Sequence, residues 1–167
     1  ARCEITPDGA VAMKAGTQDI GTGTRTIVAM VTAETLGLPV SAVVPMIGDT
    51  IYPACGSSGG STTAAGAMPA VRLAAGQALD TLCAKVAPAL GVDASMLMAA
   101  NGRIQVRNNP SKSMTWKDAC RLLGTETIAA DSQWQNGLSS TGTTGVQFAE
   151  VAVDIETGIV KVKRVLV

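Results

Sequence analysis

The sequence predicts a mixed α/β domain with a mixed sheet, helices and a β-hairpin at each end. Near both ends of the chain, alternating apolar and polar residues flank a turn, which is the pattern of a hairpin. Between the hairpins, a strand, a Gly/Thr-rich loop and a helix follow one another twice. Hydrophobic residues make up 47% of the 167 residues, which is enough for a packed core. We therefore predict a single domain over residues 1–167.

The first elements are a hairpin and a helix. Residues 2–6 and 10–15 predict two strands, because Pro7-Asp8-Gly9 between them has the composition of a tight turn. Residues 24–36 carry apolar side chains near helical spacing, and Gly37 is a typical helix C-terminus.

A second strand and a long helix follow. Residues 41–47 predict a strand, and Pro45 favours a position at a sheet edge because it lacks a backbone N–H. Strand, loop, helix and strand together form a βαβ-like unit. A helix is predicted from about Thr62 to Leu90, with a kink at Gly66 or Pro69.

The middle of the chain predicts two shorter helices. Asp93 is a suitable N-cap for a helix that ends near 101–102, and the alternating residues 103–108 predict a strand. Ser113 is the expected N-cap of the next helix, which Gly124 ends.

The last part of the chain predicts an irregular segment and then a hairpin. Little regular structure is expected over 125–144. Residues 145–154 and 159–166 alternate as strands, and the turn between them contains Gly158.

Composition excludes several classes of function. Thirteen basic and thirteen acidic residues leave no net charge, and no basic stripe indicates nucleic-acid binding. The chain has no histidine, which removes the Ser-His-Asp triad and histidine metal sites. Its four cysteines are too widely spaced for a C-x-x-C motif. We expect Cys83 and Cys120 in the core and a cytoplasmic location, with the periplasm as the alternative.

Two Gly-rich loops are the candidate binding elements. The first is Gly16-Thr-Gln-Asp-Ile-Gly-Thr-Gly-Thr24, and the second is Cys55-Gly-Ser-Ser-Gly-Gly-Ser-Thr-Thr63. Each precedes a helix, so each predicts a cradle for a phosphate or another anion at the helix N-terminus. Neither matches a P-loop or a G-x-G-x-x-G motif. For the second loop, a flexible Gly-Ser linker is the alternative.

No acid–base pair stands out, and we predict no catalytic residue and no metal ligand. Asp19 and Asp49 lie beside the loops and could hold either the loop geometry or a ligand hydroxyl. Cys55 is the one reactive candidate, with a surface thiol as the alternative. The other carboxylates are expected to be solvated or show no partner: Glu34, Glu126, Asp131, Glu150 and Asp154.

Several stretches resemble the molybdopterin-binding subunit of the xanthine dehydrogenase and aldehyde oxidase family, and the match runs in order from residue 2 to 167. They are Gly16–Thr26, Ala33–Pro39, Ile47–Thr50, Pro53–Ala70, Phe148–Gly158 and Val162–Val165. Family members hydroxylate aldehydes or nitrogen heterocycles with oxygen derived from water. The resemblance implies partner iron–sulfur and possibly FAD subunits or domains, and a molybdopterin cofactor in its cytosine dinucleotide form. The alternative is a non-enzymatic dinucleotide- or phosphate-binding module, or an interaction subunit of a split complex.

The resemblance also implies the site residues and two departures. The pterin side would be lined by Ile20, Gly21, Thr22 and Gly23, and the metal and phosphates by Gly59, Gly60, Ser61, Thr62 and Thr63. Many relatives carry Gln where this chain has Thr22. The Gly-x-Gly-Glu-like motif that holds the family's catalytic glutamate is missing from this sequence. We therefore expect a fragment of a longer subunit, without its C-terminal catalytic segment and inactive by itself.

Overall fold

The computed structural model describes residues 1–138 and 145–167. Those residues form a mixed α/β fold, as the sequence predicts. The strands are β1 (Arg2–Ile5), β2 (Val11–Ala15), β3 (Val43–Ile47), β4 (Leu97–Ala100), β5 (Arg103–Val106), β6 (Asn109–Thr115), β7 (Ile128–Asp131), β8 (Phe148–Val153) and β9 (Val160–Leu166). The helices are α1 (Thr24–Leu36), α2 (Thr63–Leu90) and α3 (Trp116–Arg121), and 3-10 turns cover Val40–Ala42 and Ala94–Met96.

A four-stranded sheet in the order β3-β2-β1-β7 carries the candidate site. The predicted first hairpin is confirmed, since β1 and β2 pair antiparallel. The predicted βαβ unit is confirmed as well, because β3 returns parallel to β2 after α1. Pro45 lies in β3 at the edge of this sheet, where its missing N–H disrupts no second ladder.

The core lies between this sheet and the two long helices. Alternate residues of β1 and β2 point inward and are almost fully buried, as the two-residue period of a strand requires: Cys3, Ile5, Val11, Met13 and Ala15. The buried face of α2 is rich in alanine, at Ala67, Ala70, Ala74, Ala75 and Ala78. Small side chains on this face let α2 approach both β1 and α1 closely.

The helix predicted to start at Asp93 is wrong. Asp93 caps only a single 3-10 turn, accepting from the Ser95 N–H at 2.8 Å, and the chain then enters β4. Asn101 and Gly102 have φ angles of 51° and 70°, which is the geometry of a two-residue hairpin turn. This Asn-Gly turn pairs β4 with β5, so the segment is extended instead of helical.

The predicted N-cap of the next helix is also wrong by two residues. Thr115 caps α3 by accepting from the Asp118 N–H at 3.2 Å. Ser113 lies in β6, where its hydroxyl accepts a hydrogen bond from Arg103 Nε at 3.0 Å. The helix ends at Arg121, and Gly124 follows in a turn with a φ of 65°.

The segment predicted to be irregular contains β7, which pairs antiparallel with β1 and completes the sheet. The four residues of β7, Ile-Ala-Ala-Asp, show no clear alternation of apolar and polar side chains, so pairing with β1 determines their extended structure. Residues 125–127 and 132–138 belong to no helix or strand, as predicted, and residues 139–144 lie outside the described part of the chain.

The predicted C-terminal hairpin is confirmed by the antiparallel pairing of β8 and β9. Its side chains are largely exposed, including apolar ones such as Phe148, Val151 and Val162. Among the described helices, none is long and apolar enough to cross a membrane.

Candidate cofactor-binding cavity

The two Gly-rich loops lie side by side and are joined at their bases. Gly16, directly after β2, forms a parallel bridge with Ala54, and its N–H donates to Pro53 O at 2.7 Å. A Cβ atom at Gly16 would lie 3.0 Å from the same oxygen, so this close approach favours glycine.

A second connection links the loops further along. Ser58 N donates to Gln18 Oε1 at 3.1 Å, and Ser58 Oγ donates to Gln18 O at 2.5 Å. The two loops therefore lie against each other on one side of the molecule, and a flexible linker does not describe the second loop.

A cavity of about 350 Å³ lies between the loops and the N-terminal turns of α1 and α2. Six of the nine predicted site residues line it: Ile20, Thr22, Gly59, Gly60, Ser61 and Thr63. Gly21, Gly23 and Thr62 lie in the same loops without lining the cavity. The sequence prediction missed four lining residues, Thr24 and Ile27 of α1 and Ala64 and Met68 of α2. Within each helix the two residues follow helical spacing, so they could have been found by extending the helix face from the end of each loop.

The N-terminus of α1 is occupied by a side chain of this protein, contrary to the expectation of an open anion cradle. Asp19 Oδ1 accepts from Gly21 N at 3.0 Å and from Gly23 N at 3.2 Å, and Asp19 Oδ2 accepts from Arg25 N at 3.0 Å. The hydrogen bond from Arg25 N, followed by those from the glycines, lowers the pKa of Asp19. Of the two roles considered for Asp19, the structure shows the one that holds the loop.

The N-terminus of α2 has a different environment. No side-chain hydrogen bond caps it, and its first turn contains no acidic residue. The Thr62 hydroxyl donates back to Gly59 O at 2.8 Å, and so it does not accept from the helix. A helix of 28 residues thus presents the positive end of its dipole beside Ser61 and Thr63, which line the cavity.

A family model described as the molybdopterin cofactor-binding domain matches residues 1–167. The chain belongs to this family. Two curated relatives, aldehyde oxidoreductase molybdenum-binding subunit PaoC from Escherichia coli O157:H7 and from Escherichia coli K12, are each 32% identical over 169 residues. The alignments cover 99% of this chain and 22% of each relative, so the chain spans about a fifth of their length.

Solved structures show the same fold. Reconstituted CO dehydrogenase from Oligotropha carboxidovorans superposes with a TM-score of 0.68 at 24% identity, over 98% of this chain and 21% of that chain. Quinoline 2-oxidoreductase from Pseudomonas putida 86 superposes with a TM-score of 0.67 at 19% identity, over 98% of this chain and 22% of that chain. At these identities the likeness shows the fold alone.

The glycines of the cavity loops fit a molybdopterin cofactor-binding domain. A Cβ atom built at Gly21, Gly23, Gly59 or Gly60 would meet no described atom within 4 Å, so their backbones face open space. Positive φ angles of 94°, 80° and 55° at Gly21, Gly23 and Gly60 further favour glycine. A bulky, polar ligand therefore has room to approach the backbone of both loops.

The remaining candidates of the sequence analysis take no part in chemistry at the cavity. Cys55 is 6% exposed, and its thiol lies 3.7 Å from Ala67 O. Burial raises the pKa of this thiol. Both interpretations from the sequence, a surface thiol and a reactive thiol, are therefore wrong. Asp49 accepts from Ile51 N at 3.0 Å and holds a turn. Glu126 and Asp131, for which the sequence suggested no partner, pair with Lys85 and Arg2.

The described residues contain no group of three or more His, Cys, Asp or Glu side chains that could hold a metal ion. Among the residues that line the cavity, none has a titratable side chain. The cavity therefore offers hydroxyl groups, backbone groups and apolar contacts, which suit binding and not proton transfer.

Proposed function

We propose that this chain forms part of the cofactor cradle of a larger molybdenum hydroxylase. In this proposal it holds the molybdopterin cofactor between the two loops, and the complete enzyme oxidises an aldehyde or a nitrogen heterocycle. The observation that carries the proposal is the cavity shared by Thr22 and Gly59–Ser61, with an open helix N-terminus beside it. When bound, the cofactor would supply two-electron oxidation chemistry, which this chain's own side chains do not offer.

The proposed contacts follow from the groups that remain free. The phosphates would be placed at the N-terminus of α2, near Ser61, Thr62 and Thr63, where backbone N–H groups and the helix dipole favour an anion. On the other side, Asp19 already uses the N–H groups of Gly21 and Gly23. Ile20 and Thr22, together with loop carbonyl oxygens, are therefore the groups left to contact the pterin.

The cytosine dinucleotide form of the cofactor is part of the proposal because the cavity continues into a longer groove. A second space of about 480 Å³ shares Ala64 and Met68 with the first, and extends between α1 and α2 to Glu34 and Arg72. An elongated ligand with more than one polar end would fit such a groove better than a compact one.

Partners and location complete the proposal. The relatives named PaoC are called molybdenum-binding subunits, which supports an assembly with separate iron–sulfur and possibly FAD components. We expect residues 1–167 to be one domain of the longer subunit and to need its remaining segments for turnover. The four cysteines are free and buried, which fits a reducing cytoplasm better than the periplasm.

The non-enzymatic alternative is supported by one observation, the lack of a titratable side chain in the lining of the cavity. Analysis of molybdenum and pterin in the complete native protein decides between the two functions. A stoichiometric molybdenum content supports the hydroxylase. A phosphate-binding native protein without molybdenum or pterin would contradict it and support the binding module.

A further inference from the structure

A β-bulge interrupts the register of the C-terminal hairpin. Glu150 of β8 pairs with Arg164 of β9, and the next residue of β8, Val151, pairs with Val162. Lys163 is therefore an extra residue of β9 without a directly opposite residue on β8. On the two sides of the bulge the side chains of β9 are out of step by one position, so the bulge decides which of them share a face.

The bulge gathers the valines of the hairpin on one face. Strict alternation along β9 would place Val165 on the same face as Lys161, whereas with the bulge it lies on the face of Val160 and Val162. Directly opposite residues of an antiparallel pair share a face. The cross-strand pairs of this face, which we call the valine face, contain no polar side chain: Ala149–Val165, Val151–Val162 and Val153–Val160.

The opposite face of the hairpin is mixed. Apolar side chains occupy one end of it and charged side chains the remainder, in the pairs Phe148–Leu166, Glu150–Arg164 and Ala152–Lys161. The two faces thus differ as the faces of an antiparallel sheet do when protein covers one of them and water the other.

The valine face is open in the described part of the chain. The exposed fraction of its valines ranges from 47% at Val151 to 63% at Val162. A two-stranded hairpin without a packed face is marginally stable in water. This hairpin nevertheless has a defined turn, since Asp154 accepts from Glu156 N at 2.9 Å and from Thr157 N at 3.1 Å. A formed hairpin with an open apolar face indicates a surface that other protein covers.

The size of the valine face and the length of the relatives favour one occupant. Five half-exposed valines and one alanine offer on the order of a few hundred Å², whereas a stable interface between separate chains buries roughly 800 Å² per partner. A segment of the same polypeptide needs less area, because the covalent connection gives it a high effective concentration. This chain spans 22% of each PaoC relative, so most of the polypeptide of such a subunit lies outside it.

We propose that the valine face is an interaction surface for another segment of the same longer subunit, outside residues 1–167. The docking segment presents apolar, uncharged side chains to the valines, while Lys161 on the opposite face stays in solvent. This inference shares with the proposed function the expectation of a longer subunit, and it does not depend on the cofactor.

Thiol accessibility tests this docking. The four native cysteines are buried, so an added cysteine reports on its own position, and unreactive native cysteines report that the chain is folded. We expect Val162→Cys to react with a maleimide at least roughly tenfold more slowly in the complete native protein than in the chain of residues 1–167. Lys161→Cys is the matched control on the opposite face and should react at similar rates in both. Mass spectrometry of the peptide around each position measures the reaction.

Photocrosslinking identifies the occupant of the valine face. Benzoylphenylalanine in place of Val162 in the complete native protein should crosslink to a peptide of the same subunit outside residues 1–167. The product should keep the mass of a single subunit, because the crosslink lies within one polypeptide.

The outcomes separate this inference from the proposed function. Equal reactivity of Val162→Cys in the two proteins, protection of Lys161→Cys in the complete protein, or the absence of an intrachain crosslink would overturn the proposal. A crosslink to a second copy or to another subunit would overturn it too, since the occupant would then be a separate chain. A native protein without molybdenum would count against the proposed function alone, because neither readout depends on the cofactor.

Discussion

The indole Nε1 of Trp134 donates a hydrogen bond to the backbone oxygen of Ala65 at 3.2 Å. Pro69 lies four residues after Ala65 inside α2 and has no backbone N–H, so the helix cannot supply this hydrogen bond itself. Trp134 therefore completes the backbone pairing of α2 at the point where the proline interrupts it. This contact lies in the first turns of the helix, next to Ala64 of the cavity.

We expect Trp134→Phe to lower the free energy of unfolding by about 1–2 kcal/mol, because it removes the donor and keeps most of the ring. Denaturant unfolding of the chain measures this change. In a Pro69→Ala background, the backbone at this position regains an N–H that can donate to Ala65 O, so the same Trp134→Phe substitution should cost clearly less. Equal costs in the two backgrounds would show that the indole does not replace the helix hydrogen bond.

Gly37 and Gly91 form a matched pair that tests how crowding at a helix C-terminus affects the stability of the fold. Both cap a helix in the left-handed region, with φ angles of 62° and 57°. A Cβ atom at Gly37 would lie 2.6 Å from Ala100 N, whereas one at Gly91 would meet nothing within 4 Å. Gly91→Ala should cost about 1 kcal/mol from backbone strain alone.

Gly37→Ala should cost about 2–4 kcal/mol, because overpacking against the β4 backbone adds to that strain. Thermal and denaturant unfolding of both variants measure the difference. Similar losses for the two substitutions would mean that β4 moves away from α1 without cost, and would contradict the close packing seen here.

Gly60→Val tests the cofactor-binding proposal in the complete native protein. Valine at a φ of 55° is strained, and its side chain would extend into the open space beside the proposed phosphate site. We expect a large loss of bound molybdenum and of turnover with the fold retained. The measurements are molybdenum content, turnover and the melting temperature.

Gly124→Val is the control for Gly60→Val. Gly124 has a φ of 65° and equally open surroundings, but it lies in the turn after α3. Gly124→Val should lower the melting temperature by about as much as Gly60→Val does, and it should leave the molybdenum content unchanged. Normal molybdenum content and turnover in Gly60→Val would remove the residue-level support for a cofactor at this loop.

The four cysteines predict a pH dependence on the alkaline side. Burial raises the pKa of Cys3 and of Cys120 to about 12 and that of Cys83 to about 11. An unfolded thiol has a pKa of about 8.5, so above that pH the unfolded chain releases protons that the folded chain retains. The stabilisation is complete below about pH 8.5 and declines as pH rises toward 11–12.

Reaction with a thiol reagent at pH 8 provides a direct check. The native chain should react slowly at all four positions, because the thiols are buried and protonated, and all four should react quickly after denaturation. Cys3→Ala should reduce the loss of stability between pH 8 and pH 10. Rapid modification of Cys55 in the native chain would show that this thiol is accessible after all.

Local patterns in the sequence determined the elements that depend on short-range interactions. The turn at Pro7–Gly9 was predicted between the observed strands, and the helix was predicted with its observed bounds, Thr24–Leu36. Asn101-Gly102 carried an equally local turn signal, but it was interpreted as the end of a helix that Asp93 would cap. A strand such as β7 could not be predicted, since four residues have no period of their own and their structure comes from pairing with β1.

For the candidate site, the sequence determined which loops take part and left their relation to each other open. Glycine, serine and threonine at 21–23 and 59–63 mark segments that can approach a ligand, because that property belongs to each residue alone. Which helix terminus remains free was decided only by the tertiary structure. Asp19 folds back onto the α1 terminus, while no side chain caps α2. The physical reason is that a helix N-terminus attracts any nearby anion, and the folded backbone determines whether a carboxylate of the protein itself lies within reach.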